Sequence, residues 1–373
     1  MAFPELRIGD LIARVPIVQG GMGVGISLAG LASAVANQGA IGVIAGAMIG
    51  MSEPDAATNP IEANVRGLVN EIKKARSLTR GIIGVNIMVA LTTFSQMVRA
   101  AIESKVDLIF SGAGLPLDMP RQLLDLCEEK KEEFKTKLVP IVSSGRAATI
   151  LAKKWLSRFG YLPDAFVVEG PKAGGHLGFK PGDLPRPEFA LEKLVPEVLE
   201  AVKPFEDKSG KSIPVIAAGG IYTGCDIRKF LDMGAAGVQM GTRFVATHEC
   251  DANIRFKQAY VDARLEDVTI ISSPVGMPGR ALNNEFIEQS RKGLTKPFKC
   301  VFHCVSTCER EKTPYCIARA LISAKNGNLK GGFAFCGENA HRVDRIVSVK
   351  ELIETLEEEY DNCAPEKSGG ERR

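Results

Sequence analysis

The feature that most constrains the fold is a series of eight short, mostly apolar runs separated by longer segments of helical periodicity. The runs are Pro16–Gln19, Gly42–Gly46, Ile82–Ile87, Asp107–Ser111, Leu138–Ser143, Ala165–Val168, Pro214–Ala218 and Gly237–Met240. Nearly uniform apolar character is typical of parallel strands buried on both faces, and the segments between the runs are long enough for crossover helices. Eight such units predict an α/β fold, a (β/α)8 TIM barrel. A doubly wound open sheet is the main alternative.

The composition excludes several classes of function. With 47 basic and 44 acidic residues, the 373-residue chain has a net charge of only +3 and gives no sign of a nucleic-acid partner. The uncharged stretch Val15–Ser52 is divided by glycines, so it is interpreted as strand, helix and strand and not as a membrane span. The first residues do not resemble a secretory signal, and nine cysteines are an odd number. A reducing, cytoplasmic location is expected, with the cysteines as thiols.

Small and polar residues collect at the carboxyl ends of the predicted strands. These ends are Gln19–Gly23, Asn86, Ser111–Gly114, Ser143–Gly145, Glu169–Gly170, Ala217–Gly220 and Met240–Arg243. Barrel enzymes place their chemistry on the loops at this end of the barrel. The pattern therefore predicts one site built from several strands, which acts on a small-molecule substrate.

Two of these ends indicate a phosphate site. Gly219–Gly220, followed by Thr223, and Gly241–Thr242 would offer backbone N–H groups and hydroxyls to an anion. Phosphate commonly binds after strands 7 and 8 of such a barrel. Tight packing of turns against helices is the structural alternative.

A glycine-rich loop, GPKAGGHLG, follows the strand that ends at Glu169 and contains His176. Glycine lets the backbone approach a ligand closely, and imidazole is suited to proton transfer near neutral pH. His176 is therefore the candidate catalytic residue, and a solvent-exposed turn with an incidental histidine is the alternative.

Five blocks, taken together and in order, resemble the flavin-dependent barrel family of nitronate monooxygenases (2-nitropropane dioxygenases) and flavin-type enoyl-acyl-carrier-protein reductases. The blocks are PIVQGGMG, GVNIM, EGPKAGGHLG, IPVIAAGGI and GVQMGTRF, and the resemblance extends from about Pro16 to Phe286. It implies FMN at the barrel mouth and His176 as the catalytic residue. The cofactor-contacting positions that it implies are Gly21, Met22, Gly23, Asn86, Ser143, Glu169, Gly174, Ala218, Gly219, Gly220, Gly241 and Thr242.

The resemblance also implies the activity. The favoured function is an FMN-dependent nitronate monooxygenase that oxidises nitroalkanes or alkyl nitronates with O2. The alternatives are an NAD(P)H-dependent enoyl-acyl-carrier-protein reductase and a flavin- or cluster-binding redox sensor. The segment Ser273–Asn284 resembles a lid of the family, in which Arg280 would hold a nitronate or a thioester-linked phosphate, unless it is an ordinary surface arginine.

The chain departs from the family pattern after about Arg291. Cys300, Cys304 and Cys308 recur every four residues and are predicted to share one helical face, with Cys316 following them. Four thiolates could bind a metal or an iron–sulfur cluster, but the spacing is not a common zinc or ferredoxin pattern, so packing against the barrel is the alternative. The predicted organisation is a barrel with lid (1–290), a cysteine-rich extension packed on it (291–350), and an acidic helix with a flexible tail (351–373). An amphipathic helix at Pro314–Lys325 would cover the barrel or form a homodimer contact.

Overall fold

Eight parallel strands form a barrel in the computed structural model, which describes residues 3–300 and 302–363. In chain order the strands are β1 (Leu6–Ile8), β2 (Leu11–Ala13), β3 (Ile17–Gln19), β4 (Gly42–Ala45), β5 (Ile83–Asn86), β6 (Leu108–Ser111), β7 (Lys137–Val142), β8 (Phe166–Glu169), β9 (Gly175–His176), β10 (Val215–Ala218), β11 (Gly237–Met240), β12 (Val268–Ser272) and β13 (Pro278–Leu282). The order within the barrel sheet is β3-β11-β10-β8-β7-β6-β5-β4. Backbone hydrogen bonds of 2.9 Å from Gln19 to Ile41 and from Ile41 to Ile17 close it. The predicted (β/α)8 barrel is confirmed.

The barrel interior is filled by side chains at its amino-terminal end. Val43, Phe110, Val167 and Ile216 form one buried cluster with Leu6 and other residues of the antiparallel β1–β2 hairpin, which covers the bottom of the barrel. Neighbouring strand residues such as Phe166 and Val168 point the other way, into the layer between strands and helices. This alternation explains why the strand sequences are apolar on both faces. The buried cluster fills only the amino-terminal end of the barrel, so the carboxyl-terminal end has room for a binding site.

The helices surround the barrel. They are α1 (Ala29–Asn37), α2 (Pro60–Leu78), α3 (Phe94–Glu103), α4 (Met119–Lys130), α5 (Gly145–Phe159), α6 (Leu191–Ser209), α7 (Gly224–Asp232), α8 (Thr242–Val245), α9 (Ile254–Val261), α10 (Glu285–Arg291), α11 (Ile317–Lys325) and α12 (Val349–Asn362). Helix α7 begins with a capping box, in which the Thr223 hydroxyl accepts from the N–H of Asp226 and the Asp226 carboxylate accepts from the N–H of Thr223. Such caps begin helices close to the strand ends and keep the site loops short. No helix among the described residues has the length and apolar character needed to cross a membrane.

A second sheet, antiparallel and three-stranded, lies at the carboxyl-terminal end of the barrel. Its order is β12-β13-β9, so the two-residue strand that carries His176 pairs with the predicted lid segment. The extension continues this arrangement, because Cys336 donates to the Arg280 carbonyl at 3.0 Å and Leu282 donates to the Ala334 carbonyl at 2.9 Å. The lid and the extension thus form one layer over the barrel mouth.

The prediction that Cys300, Cys304 and Cys308 share a helical face is wrong. The described residues between α10 and α11 contain no helix, and Val305 forms an isolated antiparallel bridge with Leu91 of the barrel. This pairing holds the chain extended, which overrides the spacing of four. The predicted amphipathic helix begins at Ile317, three residues after Pro314.

The carboxyl-terminal helix α12 packs against α7 and α1. The Glu359 carboxylate accepts from the N–H of Gly224 at 2.7 Å, at the first turn of α7, and Cys225 and Cys363 form a disulfide. The expectation that all nine cysteines are thiols is therefore wrong for this pair. The predicted flexible tail, residues 364–373, lies outside the described residues.

Candidate active site

A cavity of about 300 Å³ opens at the carboxyl-terminal end of the barrel, where the sequence predicts the site. His176 and eleven of the twelve predicted cofactor-contacting positions line it: Gly21, Met22, Gly23, Asn86, Glu169, Gly174, Ala218, Gly219, Gly220, Gly241 and Thr242. The convergence of β3, β5, β8, β10 and β11 on one point brings these residues together, although they are up to 221 positions apart in the chain (242 − 21).

The loop after β3 forms one wall of the cavity through close backbone contact. A Cβ atom at Gly21 would overlap the side chain of Asn86, at the end of β5. The absence of a side chain at position 21 therefore lets Asn86 lie against the backbone and leaves space above it. A flat ring system could lie in this space.

The loops after β10 and β11 form an anion-binding wall. Gly219 and Gly220 have φ angles of +97° and +90°, a conformation that favours glycine. Within the described part of the chain, the N–H groups of Gly220 and Thr242 donate no hydrogen bond, so both are available to a ligand. Donors that converge without partners are the pattern expected of a phosphate site.

His176 lies in the cavity wall and is held by Ser273, in the turn between β12 and β13. Its Nε2 lies 2.7 Å from the Ser273 Oγ, and its ring contacts the edge of Phe335 at a centroid distance of 4.9 Å. Whichever tautomer it takes, this hydrogen bond fixes the orientation of the ring. Burial lowers the pKa of His176 to about 4, so the imidazole is neutral at pH 7 and can accept a proton.

Glu169 ends β8 and faces the same cavity. Burial raises the pKa of its carboxyl group to about 7. The group therefore changes charge close to neutral pH, within the same cavity as a neutral histidine. Both pKa shifts have the same cause, burial of the group, and strongly shifted pKa values within one cavity indicate a functional site.

Comparison with known proteins shows the family of the chain. A model of the nitronate monooxygenase family matches residues 6–359. The chain belongs to the nitronate monooxygenase family. It is therefore an oxidoreductase.

The proteins that this chain resembles are named for different activities. The chain is 28% identical, over 91% of both proteins, to a 5-hydroxy-7a-methyl-1-oxo-octahydro-1H-indene-4-carboxyl-CoA dehydrogenase of Mycobacterium tuberculosis. It is 25% identical to a probable nitronate monooxygenase of Bacillus subtilis, over 91% of this chain and 94% of the relative. Among solved structures, FabK from Thermotoga maritima superposes with a TM-score of 0.69 at 29% identity, over 93% of both chains. A nitroalkane oxidase from Streptomyces ansochromogenes, 24% identical over 93% of this chain and 96% of its own, also has a TM-score of 0.69 and the same fold.

Two residues predicted in this family site lie elsewhere. Ser143 does not line the cavity, and its hydroxyl donates to the Gly178 carbonyl at 3.3 Å. Arg280 is only 6% exposed, and its Nη1 donates to the carbonyl oxygens of Pro171 and Ala173 at 2.6 and 2.7 Å. Arg280 is therefore not placed to contact a substrate, contrary to the prediction from the sequence. Its guanidinium instead holds the loop that carries His176.

The sequence analysis did not predict that the extension after Arg291 forms one wall of the cavity. Residues 335–339 line the cavity, and the backbone of Cys336 and Gly337 lies so close to Gly174 that a side chain there would clash with it. Asn339 donates to the Gly220 carbonyl at 2.7 Å. The block GGFAFCGENA, with glycines around an aromatic pair, resembles the strand-end loops and is the signal that could have indicated this wall.

Two charged residues, Lys172 and Glu338, line the cavity beside the loop after β10. Lys172 and Glu338 form an ion pair of 3.0 Å between the β8 loop and the extension. The Tyr222 ring lies against two guanidinium groups, those of Arg243 at 4.7 Å and Arg342 at 4.4 Å from its centroid. The charges of Lys172 and Glu338 offset each other and neither arginine lines the cavity, so the anion site depends on the backbone N–H groups of the two loops.

The remaining predicted site residues, Cys300, Cys304, Cys308 and Cys316, lie outside the cavity. Among the described residues, no group of three or more histidine, cysteine or acidic side chains could hold a metal ion.

Proposed function

We propose that the protein is an FMN-dependent nitronate monooxygenase, which oxidises nitroalkanes or alkyl nitronates with O2. The observation that carries this proposal is the neutral His176, fixed by Ser273, in the wall of a cavity that has an anion-binding end. A nitroalkane has an acidic proton on the carbon next to its nitro group. A neutral, oriented imidazole is suited to remove that proton.

The residues present fit FMN. Gly220 and Thr242 have N–H groups free to bind its phosphate, and Gly21 leaves room for a flat ring against Asn86. When bound, FMN supplies the electron acceptor for the substrate and passes the electrons to oxygen.

The chain's own residues then have separate roles. His176 takes the proton from the substrate carbon or lies against the anionic nitronate, and Ser273 keeps its ring in position. The layer formed by the lid and residues 335–339 covers the cavity and limits access of water. Arg280 holds the backbone before His176 through two carbonyl groups.

Oxygen consumption tests this assignment. Purified protein loaded with FMN is mixed under air with alkyl nitronates of several chain lengths and, separately, with the corresponding neutral nitroalkanes. We expect turnover in the wild type and, with the neutral nitroalkanes, a loss of roughly 100-fold or more in His176→Ala, because general base catalysis contributes about 10²–10⁴-fold. Flavin content should be unchanged in the variant, since the predicted phosphate contacts lie on other loops. Absence of turnover with every nitronate would remove this function.

A second candidate is oxidation or reduction of an acyl thioester. It is favoured by the carboxyl-CoA dehydrogenases of Mycobacterium tuberculosis, at 28% identity, and of Rhodococcus jostii, at 30% over 73% of this chain and 64% of the relative. A carbon next to a thioester carbonyl also carries an acidic proton, so His176 would have the same role. The enoyl reductase form of this candidate would in addition use NAD(P)H.

Anaerobic flavin spectra separate the candidates. Bleaching of the flavin by a saturated acyl-CoA favours a dehydrogenase, and bleaching by NADH or NADPH followed by reoxidation with an enoyl thioester favours a reductase. Bleaching by neither, together with oxygen-dependent turnover of a nitronate, leaves the monooxygenase.

A further inference from the structure

A disulfide bond joins the first turn of α7 to the end of α12. Cys225 and Cys363 are 138 positions apart in the chain, and their Cα atoms are separated by 5.3 Å, a distance at which a disulfide needs no backbone movement. The other seven cysteines, all among the described residues, are free. One covalent bond therefore fastens the last described helix to the barrel.

The last turn of α12 packs directly on the start of α7. A Cβ atom at Gly224 would lie 2.2 Å from the carbonyl oxygen of Leu356 and from the nitrogen of Tyr360, so the two helices meet through their backbones. Arg228 adds a second attachment, because its Nη1 donates to the carbonyl oxygens of Tyr360 and Cys363 at 3.3 and 3.4 Å. The end of α12 is thus held at one place by the disulfide and by these contacts.

The start of α7 is also the end of the loop that forms the anion-binding wall. Only two residues separate Gly220 from the helix cap Thr223, and the next residue, Gly224, donates its N–H to the Glu359 carboxylate at 2.7 Å. Glu359 lies one helical turn before Cys363, so the disulfide holds this acceptor in place. A displacement of the end of α12 would therefore remove a hydrogen bond and a backbone contact that order the loop.

The disulfide is accessible to a reductant, because Cys225 is exposed and Cys363 is half-buried. A thiolate of a dithiol can attack one of the two sulfur atoms and break the bond between them, and the second thiol of the reductant then resolves the mixed disulfide. The reductant becomes a disulfide, and two electrons and two protons pass to Cys225 and Cys363. One accessible disulfide beside seven free thiols, among the described cysteines, is more typical of a redox-sensing pair than of a disulfide framework.

We propose that the disulfide between Cys225 and Cys363 is a redox-modification site that regulates the affinity for FMN. A dithiol reductant cleaves it and releases the last turn of α12, and the loop before α7 then holds the phosphate less tightly. The effect stays local, because Leu352, Ile353 and Leu356 of α12 remain buried in the core. This inference rests on the proposed flavin site, but not on the substrate that the flavin oxidises.

Three measurements on full-length protein test the proposal. After oxidation with glutathione disulfide, peptide mapping should find Cys225 linked to Cys363, and after reduction with dithiothreitol and desalting without oxygen both should be thiols. Amide hydrogen exchange of residues 359–362 should be at least ~10-fold faster in the reduced form. Titration with FMN, followed by flavin fluorescence, should give a dissociation constant roughly 3- to 10-fold higher in the reduced form, as for the loss of about one hydrogen bond that orders the loop.

Two variants control the experiment. Cys363→Ser removes the bond without any reductant, so it should bind FMN like the reduced wild type whether or not dithiothreitol is used. Cys127→Ser, which changes a free cysteine on α4, should respond to oxidation and reduction like the wild type. Circular dichroism identifies misfolding, and the comparison of the wild type in its two redox states needs no substitution.

Three outcomes would overturn the proposal: no linked peptide after oxidation, unchanged exchange at the end of α12, or FMN affinities of the two forms that agree within about twofold. Each of these can occur while FMN still binds, so the flavin site would stand without the regulation. Binding of FMN in neither redox state would instead remove the proposed flavin site, and the regulation with it.

Discussion

Replacing Gly174 with alanine tests whether the extension closes the flavin site. A Cβ at this position would lie 2.5 Å from the carbonyl carbon of Cys336 and 2.6 Å from the nitrogen of Gly337. Both are backbone atoms, so no side-chain rotation relieves the contact. The backbone of Gly174 itself is not in the left-handed region, so the effect of Gly174→Ala is steric alone.

The expected magnitude follows from overpacking. Forcing an extra methyl group into a tight contact costs about 1–3 kcal/mol. In the free protein, residues 335–337 can shift outward and relieve the strain. With flavin bound they must return, so we expect the FMN dissociation constant to rise roughly 5- to 150-fold.

Titration of flavin-free protein with FMN, followed by quenching of flavin fluorescence, measures this change. Gly182→Ala is the matched control, because a Cβ there meets no atom within 4 Å and the residue lies in the next connection, between β9 and β10. Wild-type affinity in Gly174→Ala would refute the claim that residues 335–339 form the cavity wall.

Three further predictions follow from individual side chains. Arg280→Met should lower the free energy of unfolding by about 1–3 kcal/mol and reduce kcat, because two carbonyl groups lose a buried donor. Denaturant titration and steady-state kinetics measure the two effects, and wild-type values in both would contradict the role of Arg280. The acid limb of kcat/KM, which reports loss of neutral His176, should lie near pH 4, and a limb at the ordinary value near 6.5 would contradict the assigned burial. Burial raises the pKa of Glu169 to about 7, whereas its value in the unfolded chain stays near 4.5. The free energy of unfolding therefore falls as the pH rises from the unfolded to the folded pKa, because only the unfolded chain has released this proton. Flavin-free Glu169→Gln should therefore be more stable than the wild type at pH 8, by up to about 3 kcal/mol in chemical denaturation, and an equal stability at pH 8 would count against the shift.

The barrel was predictable because its signal is local. A strand such as Phe166–Glu169 is buried on both faces, and this alone makes its sequence apolar. Strand β9 has only two residues, and it exists because β13 pairs with it from about a hundred positions away. The loop with Cys304 was mispredicted for the same reason, since the bridge of Val305 to Leu91 is a tertiary contact that spacing does not record.

The candidate site was predictable where it consists of strand ends. Gly220 and Thr242 follow parallel strands, so the fold places them together once it is known. Arg280 and Cys336 come from segments outside the barrel repeat, and only the structure shows that the first supports the His176 loop and the second lines the cavity. The sequence shows which side chains these segments contain, but not which part of the fold each side chain contacts.

The central claim is that the backbone of the loops after β10 and β11 binds the phosphate of FMN. Flavin-free protein titrated with FMN and, separately, with riboflavin tests it most directly, because the two ligands differ only in the phosphate. The account predicts that FMN binds at least ~100-fold more tightly, since hydrogen bonds to a charged group contribute about 1.5–3 kcal/mol each and two N–H groups are available. Equal affinity for the two ligands, or no binding of either, would contradict it.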